Sequence, residues 1–437
     1  MTITHPPAEL LQSLIRFDTT NPPGNEAACI GFIKDLLTQA GFDALILAKD
    51  PNRPNLIARL TGRGEAPALL LQGHVDVVTT AGQPWTHPPF EAQRHEGYIW
   101  GRGALDMKGG VAMMLAALLR AKAEKLAPRG DVVLCVLSDE EAGGDYGAKW
   151  LVETQADVFK GVRYALGEFG GFTAYFGGRR FYLIQVAERQ MCWMRATVRG
   201  PAGHGGAVVM RGGAMAKLSR LLWQLDRNLL PVHITSPVRM MIEAMRAALP
   251  FPARSLMRQL LNPSMTDRVL GLLGERGKPF LPMLRNTVNA TLVRGGEKIN
   301  VIPGEITVEL DGRLLPGFTP DDMLKELRLL VGEDVELEVL RAEVSASPAQ
   351  PDMGLFETLA SVLREADPTG IPIPYMLPAI SDARFFAKLG IQPYGFTPMQ
   401  LPPDFNFSAT VHAADERIPV EAVEFGASAI YEVLRRL

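Results

Sequence analysis

The chain has 437 residues, 47% hydrophobic and 21% charged, which is enough for two or three domains with sizeable cores. Its formal net charge of -3 provides no basic field, which argues against nucleic acid or an anionic membrane surface as a partner. Cys29, Cys135 and Cys192 are too scattered for a disulfide framework or a zinc knuckle and point to reduced thiols in a cytoplasm.

Residues 1–14 are broken by Pro6 and Pro7 and lack a basic start followed by an apolar core, so no signal peptide is expected. Longer apolar stretches meet charges or glycines before they could span a bilayer. Short apolar runs then alternate with helical patterns, the mark of an α/β domain with buried strands. Helices are predicted over 10–17 and 27–40, and strands over 55–60, 68–72 and 132–137. A helix over 109–126, apolar at helical spacing and basic in its last turn, should cover one face of that sheet. From Arg195 the texture changes: a strand, a helix over 214–229, strands over 287–293 and 306–310, a helix over 320–330 and a strand over 335–340. This β-α-β-β-α-β order suggests a separate ferredoxin-like α+β domain. Residues 231–284 are too long for an ordinary connection and read as an insertion with helical pieces. Residues 345–351 read as a turn-rich linker, after which helices and strands resume.

Charged residues gather where apolar runs end. In Gly73-His74-Val75-Asp76, extended backbone points His74 and Asp76 to the same side, as a metal site or as a hydrogen-bonded structural pair. Asp106 lies in Gly101-Arg102-Gly103-Ala104-Leu105-Asp106-Met107-Lys108-Gly109-Gly110, just before a helix. It could cap that helix, but the surrounding glycines permit the close approach needed by a carboxylate bridging two cations. Ser138-Asp139-Glu140-Glu141-Ala142-Gly143-Gly144 follows a core strand, where α/β proteins keep functional groups, although three acids can also form a solvated turn. Glu168 ends another apolar run, and His412 follows a strand-like stretch in Thr410-Val411-His412-Ala413-Ala414-Asp415-Glu416-Arg417-Ile418-Pro419. Alone, Glu168 is close to uninformative, and His412 reads more readily as a structural histidine than as a ligand. Together these side chains make a mixed nitrogen and oxygen set suited to zinc and tolerated by cobalt or manganese.

The ordered motifs GHVDVV, GRGALDMKGG, SDEEAGG, GE and HAADERIP resemble the zinc-dependent family of aminoacylase, glutamate carboxypeptidase, succinyl-diaminopimelate desuccinylase and acetylornithine deacetylase, over nearly the whole chain. The resemblance implies a zinc-exopeptidase-like catalytic domain with a mixed central sheet, in segments 1–187 and 343–437. A lid and dimerisation domain at 188–342, with the insertion at 231–284, would interrupt it. It implies two zinc ions, with Asp106 bridging, His74 and Glu168 completing one site, and Glu141 and His412 the other. It further implies Glu140 as general base, Asp76 holding the His74 imidazole, and a cis peptide between Asp106 and Met107. His204, in Gly200-Pro201-Ala202-Gly203-His204-Gly205-Gly206, matches a lid histidine that reaches the active site of a dimer partner, although glycines stand where small hydroxyl residues often follow. Asn300 and Arg313 match positions that bind a substrate carboxylate, as a guanidinium can through two hydrogen bonds; a turn cap and a surface arginine are the plainer alternatives. Ser381-Asp382-Ala383-Arg384 resembles a segment near the substrate, with Pro378-Ala379-Ile380 replacing a glycine-rich approach.

The implied function is hydrolysis of an amide or peptide bond in a small substrate with a free carboxylate, a peptide or an N-acyl amino acid. The insertion and the C-terminal pattern are most similar to carboxypeptidase-like members. A deacylase dedicated to one biosynthetic intermediate, and a binding protein that has lost turnover, are the competing readings.

Overall fold

In the computed structural model, which describes residues 5–343 and 349–437, the Val- and Leu-rich run Val132–Leu137 forms a strand buried on both faces. Val132, Leu134 and Val136 enter one hydrophobic cluster with Leu69 and Leu71, while Val133, Cys135 and Leu137 enter another with Leu70, Leu151 and Phe385. This two-residue alternation between apolar layers explains why the run carries no polar face.

The strand lies in a nine-stranded mixed sheet. Val132–Leu137, Ala68–His74, Val162–Gly167 and Gln392–Gly395 pair in parallel, in that order. Asn55–Leu60 adds to Val132–Leu137 in antiparallel fashion, and Ala44–Leu47 adds beyond it. From Ala68–His74 the chain crosses to the strand on one side and later to the strand on the other. The carboxyl end of Ala68–His74 is therefore a topological switch point, where open α/β sheets form their crevice. The predicted strand 68–72 runs two residues further, which brings His74 to that end.

Helix Lys108–Ala123 covers the sheet as predicted but is not half-exposed: thirteen of its sixteen residues are buried. Pro7–Ile15 and Val420–Arg436 pack over it as a further layer, so its apolar residues continue around the helix. The hairpin of Phe172–Phe176 and Arg179–Glu188 escaped sequence reading. Its turn is Gly177-Gly178, and both residues have positive φ, as a two-residue hairpin with strand-matched twist requires. All three cysteines are free and buried.

These strands and helices belong to a unit comprising Met1–Val186, Pro351–Tyr375 and Ser381–Leu437; the remainder, Ala187–Gln350 and Met376–Ile380, forms a second unit. There, an antiparallel sheet has the order Thr287–Arg294, Glu305–Leu314, Gln190–Arg199, Val335–Glu343. Helices Ala214–Arg227 and Pro320–Val331 complete the β-α-β-β-α-β arrangement and share its apolar cluster. Thr319 and Asp322 form a reciprocal capping box with Pro320 in the first turn, which sets where the second helix begins. The strand predicted at 306–310 extends over Glu305–Leu314, so Arg313 sits within the strand, beyond its predicted end. Gly312 permits this, because a Cβ there would lie 2.4 Å from the Cys192 carbonyl oxygen of the adjacent strand. The insertion consists of Ser236–Ala248, Ala253–Leu260, Pro263–Leu273 and a tighter 3-10 segment Gly274–Met283. Most of the predicted 345–351 linker lies outside the described residues.

Leu134→Ala should remove methyl groups from a position that cannot collapse, destabilising the first unit by about 2–5 kcal/mol. Urea denaturation followed by circular dichroism checks this, and an unchanged midpoint would contradict the packing described.

Candidate metal centre

His74 stands at the carboxyl end of its strand, 1% exposed. Its Nδ1 lies 2.9 Å from the backbone carbonyl oxygen of Asp76. A carbonyl only accepts, so Nδ1 carries a proton and Nε2 is left to face the site. Nε2 lies 3.2 Å from Asp106 Oδ1 and 3.3 Å from Glu168 Oε2. The other Asp106 oxygen, Oδ2, lies 3.0 Å from His412 Nε2, which is 3.1 Å from Glu141 Oε1. One carboxylate thus addresses two imidazoles, one through each oxygen. The candidate donor atoms form two groups, His74-Asp106-Glu168 and Asp106-Glu141-His412, each within 4.8 Å and both containing Asp106.

The surroundings of Asp106 hold it in place. The peptide between Asp106 and Met107 is cis. Glu416 Oε1 accepts from the backbone N–H groups of Leu105 and Asp106, at 2.8 and 3.2 Å. Glu416 Oε2 accepts from Arg102 Nη1 at 2.6 Å, and the same guanidinium donates to the His412 and Ala413 carbonyl oxygens at 3.2 Å. This buried pair therefore joins the loop of Asp106 to the loop of His412. His412 follows a short helix, Phe407–Thr410, not the strand-like stretch expected, because the Asn406 side chain caps that turn by accepting from Ala409.

The acidic turn is organised by Asp76 and Asp139. The Asp76 carboxylate lies 3.4 Å from His74 Nδ1, the pairing that the resemblance implies, with the Asp76 backbone carbonyl nearer still. The carboxylate also accepts from the backbone N–H groups of Glu140 and Glu141, both at 3.1 Å, and from Asn21 Nδ2 at 2.8 Å. Asp139, buried and with φ 70°, pairs with Arg53 at 2.9 Å, and Arg53 also holds Glu26 at 2.7 Å. Glu140 and Glu141 begin a 3-10 turn directly after it. Arg384 Nη1 lies 4.0 Å from Glu140 Oε1. Asp382, on the same segment, is buried with both oxygens lacking a hydrogen-bond donor.

Electrostatics show which charge the cluster would accommodate. Burial, the neighbouring Asp106 and Glu140 push the Glu141 carboxyl up to about 8. Burial and Glu140 raise Glu168 well above the usual carboxylate range, and burial raises Glu140. The carboxylates of Asp106 and Glu141 push the His412 imidazole up to about 10. Burial opposes a charge on His74, but the carboxylates of Asp106, Asp76 and Glu168 more than offset it and raise that imidazole too. Crowded acids and imidazoles drawn toward protonation both signal a need for positive charge. Glu168 Oε1 is buried with no donor, a polar atom that a cation would satisfy. Two imidazole nitrogens and three carboxylates fit zinc, cobalt or manganese.

Four non-glycine residues here have left-handed backbone: Asp139, Phe169, His412 and Asp415, with φ between 58° and 70°. Such conformations persist where the surrounding structure over-determines them, commonly at functional sites. Of the other residues singled out in the sequence, His204 and Asn300 lie side by side in the second unit: Gly203–His204 pairs with Val301–Ile302, and Gly205 N–H donates to the Asn300 carbonyl at 2.9 Å. Arg313 lies on the second unit's sheet, paired with Asp311 at 2.9 Å. Asn21, Arg53, Arg102 and Glu416 were missed as site residues. Opposite charges in GRGALD and HAADERIP were the only available signal for the last two.

A sequence profile of peptidase family M20/M25/M40 matches residues 70–436. The chain is 27% identical over 389 residues to human N-fatty-acyl-amino acid synthase/hydrolase PM20D1, covering 86% of this chain and 76% of that protein. It is 26% identical over 430 residues to human aminoacylase-1, covering 95% and 91%. Its fold resembles an M20 family metallo-carboxypeptidase, Sso-CP2 from Sulfolobus solfataricus, with TM-score 0.68, 17% identity and 99% of both chains covered. It also resembles human carnosine dipeptidase 1, with TM-score 0.67, 16% identity and 98% and 95% of the two chains covered.

Removing Glu416 would leave Arg102 charged, buried and unpaired. Glu416→Ala should therefore cost about 3–5 kcal/mol, read as a lowered midpoint in thermal denaturation; a variant as stable as the parent would show that this pair does not brace the two loops.

Proposed function

The chain belongs to peptidase family M20/M25/M40, metal-dependent hydrolases of amide bonds, and from that premise we propose a two-zinc enzyme that cleaves peptides or N-acyl amino acids beside a free carboxylate. The observation that carries this reading is the division of one carboxylate, Asp106, between two donor groups. His74 and Glu168 would hold one cation with it, and Glu141 and His412 the other. When bound, such cations supply Lewis acidity that polarises a carbonyl and makes water a better nucleophile near neutral pH.

The remaining chemistry falls to the chain's own groups. Glu140, adjacent to a candidate ligand but belonging to neither donor group, takes the proton from the attacking water and delivers it to the departing nitrogen. Asp76 fixes the turn presenting Glu140 through the two backbone N–H groups it accepts. His204 would donate to the developing oxyanion, as positioned donors do in acyl transfer. Asn300 and Arg313 would bind the substrate carboxylate, with the Arg313 fork exchanging Asp311 for the ligand. Similarity to aminoacylase-1 favours N-acyl amino acids within this range, over a biosynthetic deacylase of narrower scope.

A homodimer through the second unit belongs to the same reading. Its edge strand Thr287–Arg294 exposes Leu292 and Val293, and helix Ala214–Arg227, packed beside it, exposes Met215 and Trp223. An uncovered apolar strand edge is a template for a second copy. Sedimentation velocity should find a dimer that Val293→Lys converts to monomer; a monomeric parent would remove this part of the proposal.

Elemental mass spectrometry should find about two zinc ions per chain, with hydrolysis lost to a chelator and regained on adding metal. Glu140→Gln should keep zinc while kcat falls at least about a hundredfold. Asp106→Asn should lose zinc. Normal turnover in either variant, on a panel of dipeptides and N-acyl amino acids, would defeat the assignments.

A further inference from the structure

Residues 17–21 take no part in the chemistry above, yet they are fastened to segments that carry it. Lys108, fully buried two positions after Asp106, donates from Nζ to the Phe17 carbonyl oxygen at 2.7 Å. Thr19 Oγ1 donates to the Val75 carbonyl oxygen at 2.5 Å. The backbone N–H groups of Asn21 and Val77 donate to the carbonyl oxygens of Val77 and Thr19, at 2.9 and 3.1 Å. This strap ends on Asn21, which is 5% exposed. Its Nδ2 donates to two carboxylates, Asp76 Oδ2 at 2.8 Å and Asp139 Oδ1 at 3.1 Å.

Those two carboxylates hold the chain on both sides of Glu140. Asp139 is the residue before it, and its Oδ2 accepts from the Tyr146 N–H at 3.0 Å, which closes the loop that follows. Asp76 accepts from the N–H groups of Glu140 itself and of Glu141 after it. The Glu140 carboxylate has Arg384 Nη1 at 4.0 Å, beyond a hydrogen bond, so its direction is inherited from the turn. Arg53 pairs with Asp139 and Glu26, whereas Asn21 joins Asp139 to Asp76. An amide NH2 offers two hydrogens and no charge, so a single asparagine serves both acids without adding charge to a crowded place. An apolar residue there would take a donor from each of two buried carboxylates.

We propose that Asn21 is the positioning residue for the base: its amide, clamped between Asp76 and Asp139, fixes the turn from which Glu140 reaches the attacking water. The proposal rests on the hydrolase reading above, in which Glu140 is that base, and adds the residue that aims it. A base works only within hydrogen-bond reach of the proton it takes, so a small displacement of the turn lowers the rate of the chemical step more than it weakens binding.

The test compares zinc-loaded parent, Asn21→Ala and Thr19→Val on the best-cleaved substrate of the panel. In Asn21→Ala, kcat should fall about tenfold or more while KM stays within about twofold and zinc content is unchanged. Thr19→Val loosens the same strap without touching either acid, and its kcat should stay at the parent's level. Hydrogen–deuterium exchange mass spectrometry supplies a readout independent of turnover: the amides of Glu140 and Glu141 should exchange about tenfold faster in Asn21→Ala and at the parent's rate in Thr19→Val. Asn21→Ser, which keeps one donor, replaces the alanine variant where that does not fold, with a smaller fall in kcat expected. An unchanged kcat overturns the proposal. So does a loss shared equally by Thr19→Val, or one that tracks lost zinc, because general loosening or the ligand Glu141 would then account for it. If the parent cleaves no amide, the hydrolase reading itself fails; exchange at Glu140 and Glu141 left unchanged by Asn21→Ala would then overturn the positioning role as well, and faster exchange confined to that turn would sustain it.

Discussion

Asp106, Glu141 and Glu168 repel one another in a place that water barely reaches, and much of the first unit can be read as the means of keeping them together. Two imidazoles stand between them, one at each oxygen of Asp106. At about 4 Å, unlike charges attract by some 4 kcal/mol at an effective dielectric near 20, and like charges repel by as much. An arrangement of this kind is therefore held only by a rigid frame together with counter-charge. The frame is the parallel sheet, whose switch point places the end of Ala68–His74 between its two neighbours.

Around that centre lies a second set of buried charges that closes on itself. Arg102 with Glu416, and Arg53 with Glu26 and Asp139, are paired within 2.9 Å. None is a member of the donor groups, yet each fixes a loop that carries one. Glu416 accepts from the backbone of Asp106, and Arg53 secures the residue preceding Glu140. Breaking one partner of a buried pair costs more than the intact pair contributes, so these loops can change only together with their braces. The left-handed residues Asp139 and His412 fit this picture, because unfavourable backbone survives only where neighbouring contacts outweigh it.

This division explains what was legible beforehand. His74, Asp106, Glu140, Glu141 and Glu168 were visible because each lies at or just beyond the end of an apolar run or beside clustered glycines, signals contained within about ten residues. Arg102 and Glu416 are 314 positions apart, and their pairing is created entirely by the fold. Asp76 and its place beside His74 were visible, but its further partners were not: two-residue periodicity puts its side chain on the side of His74, whereas the backbone N–H groups of Glu140 and Glu141 are brought to it by the fold. The ferredoxin-like order of the second unit could be read from alternating strand and helix patterns. The extension of its third strand through Gly312 could not, since a glycine ordinarily weakens a strand and only the neighbouring carbonyl explains it.

The candidate substrate groups obey a different economy from the metal ligands. His204 is exposed and its Nδ1 accepts from the nearby Gly206 N–H at 3.2 Å. Asn300 is likewise exposed, and Arg313 already has a carboxylate in Asp311, which also accepts from Trp193 Nε1 at 3.1 Å. On the proposed reading, a ligand carboxylate would displace or share that pairing. On the proposed reading, rigid charge in one unit and exchangeable charge in the other would separate two demands: a cation cluster tolerates little displacement, whereas substrate recognition requires groups that can be released and taken up again at each turnover.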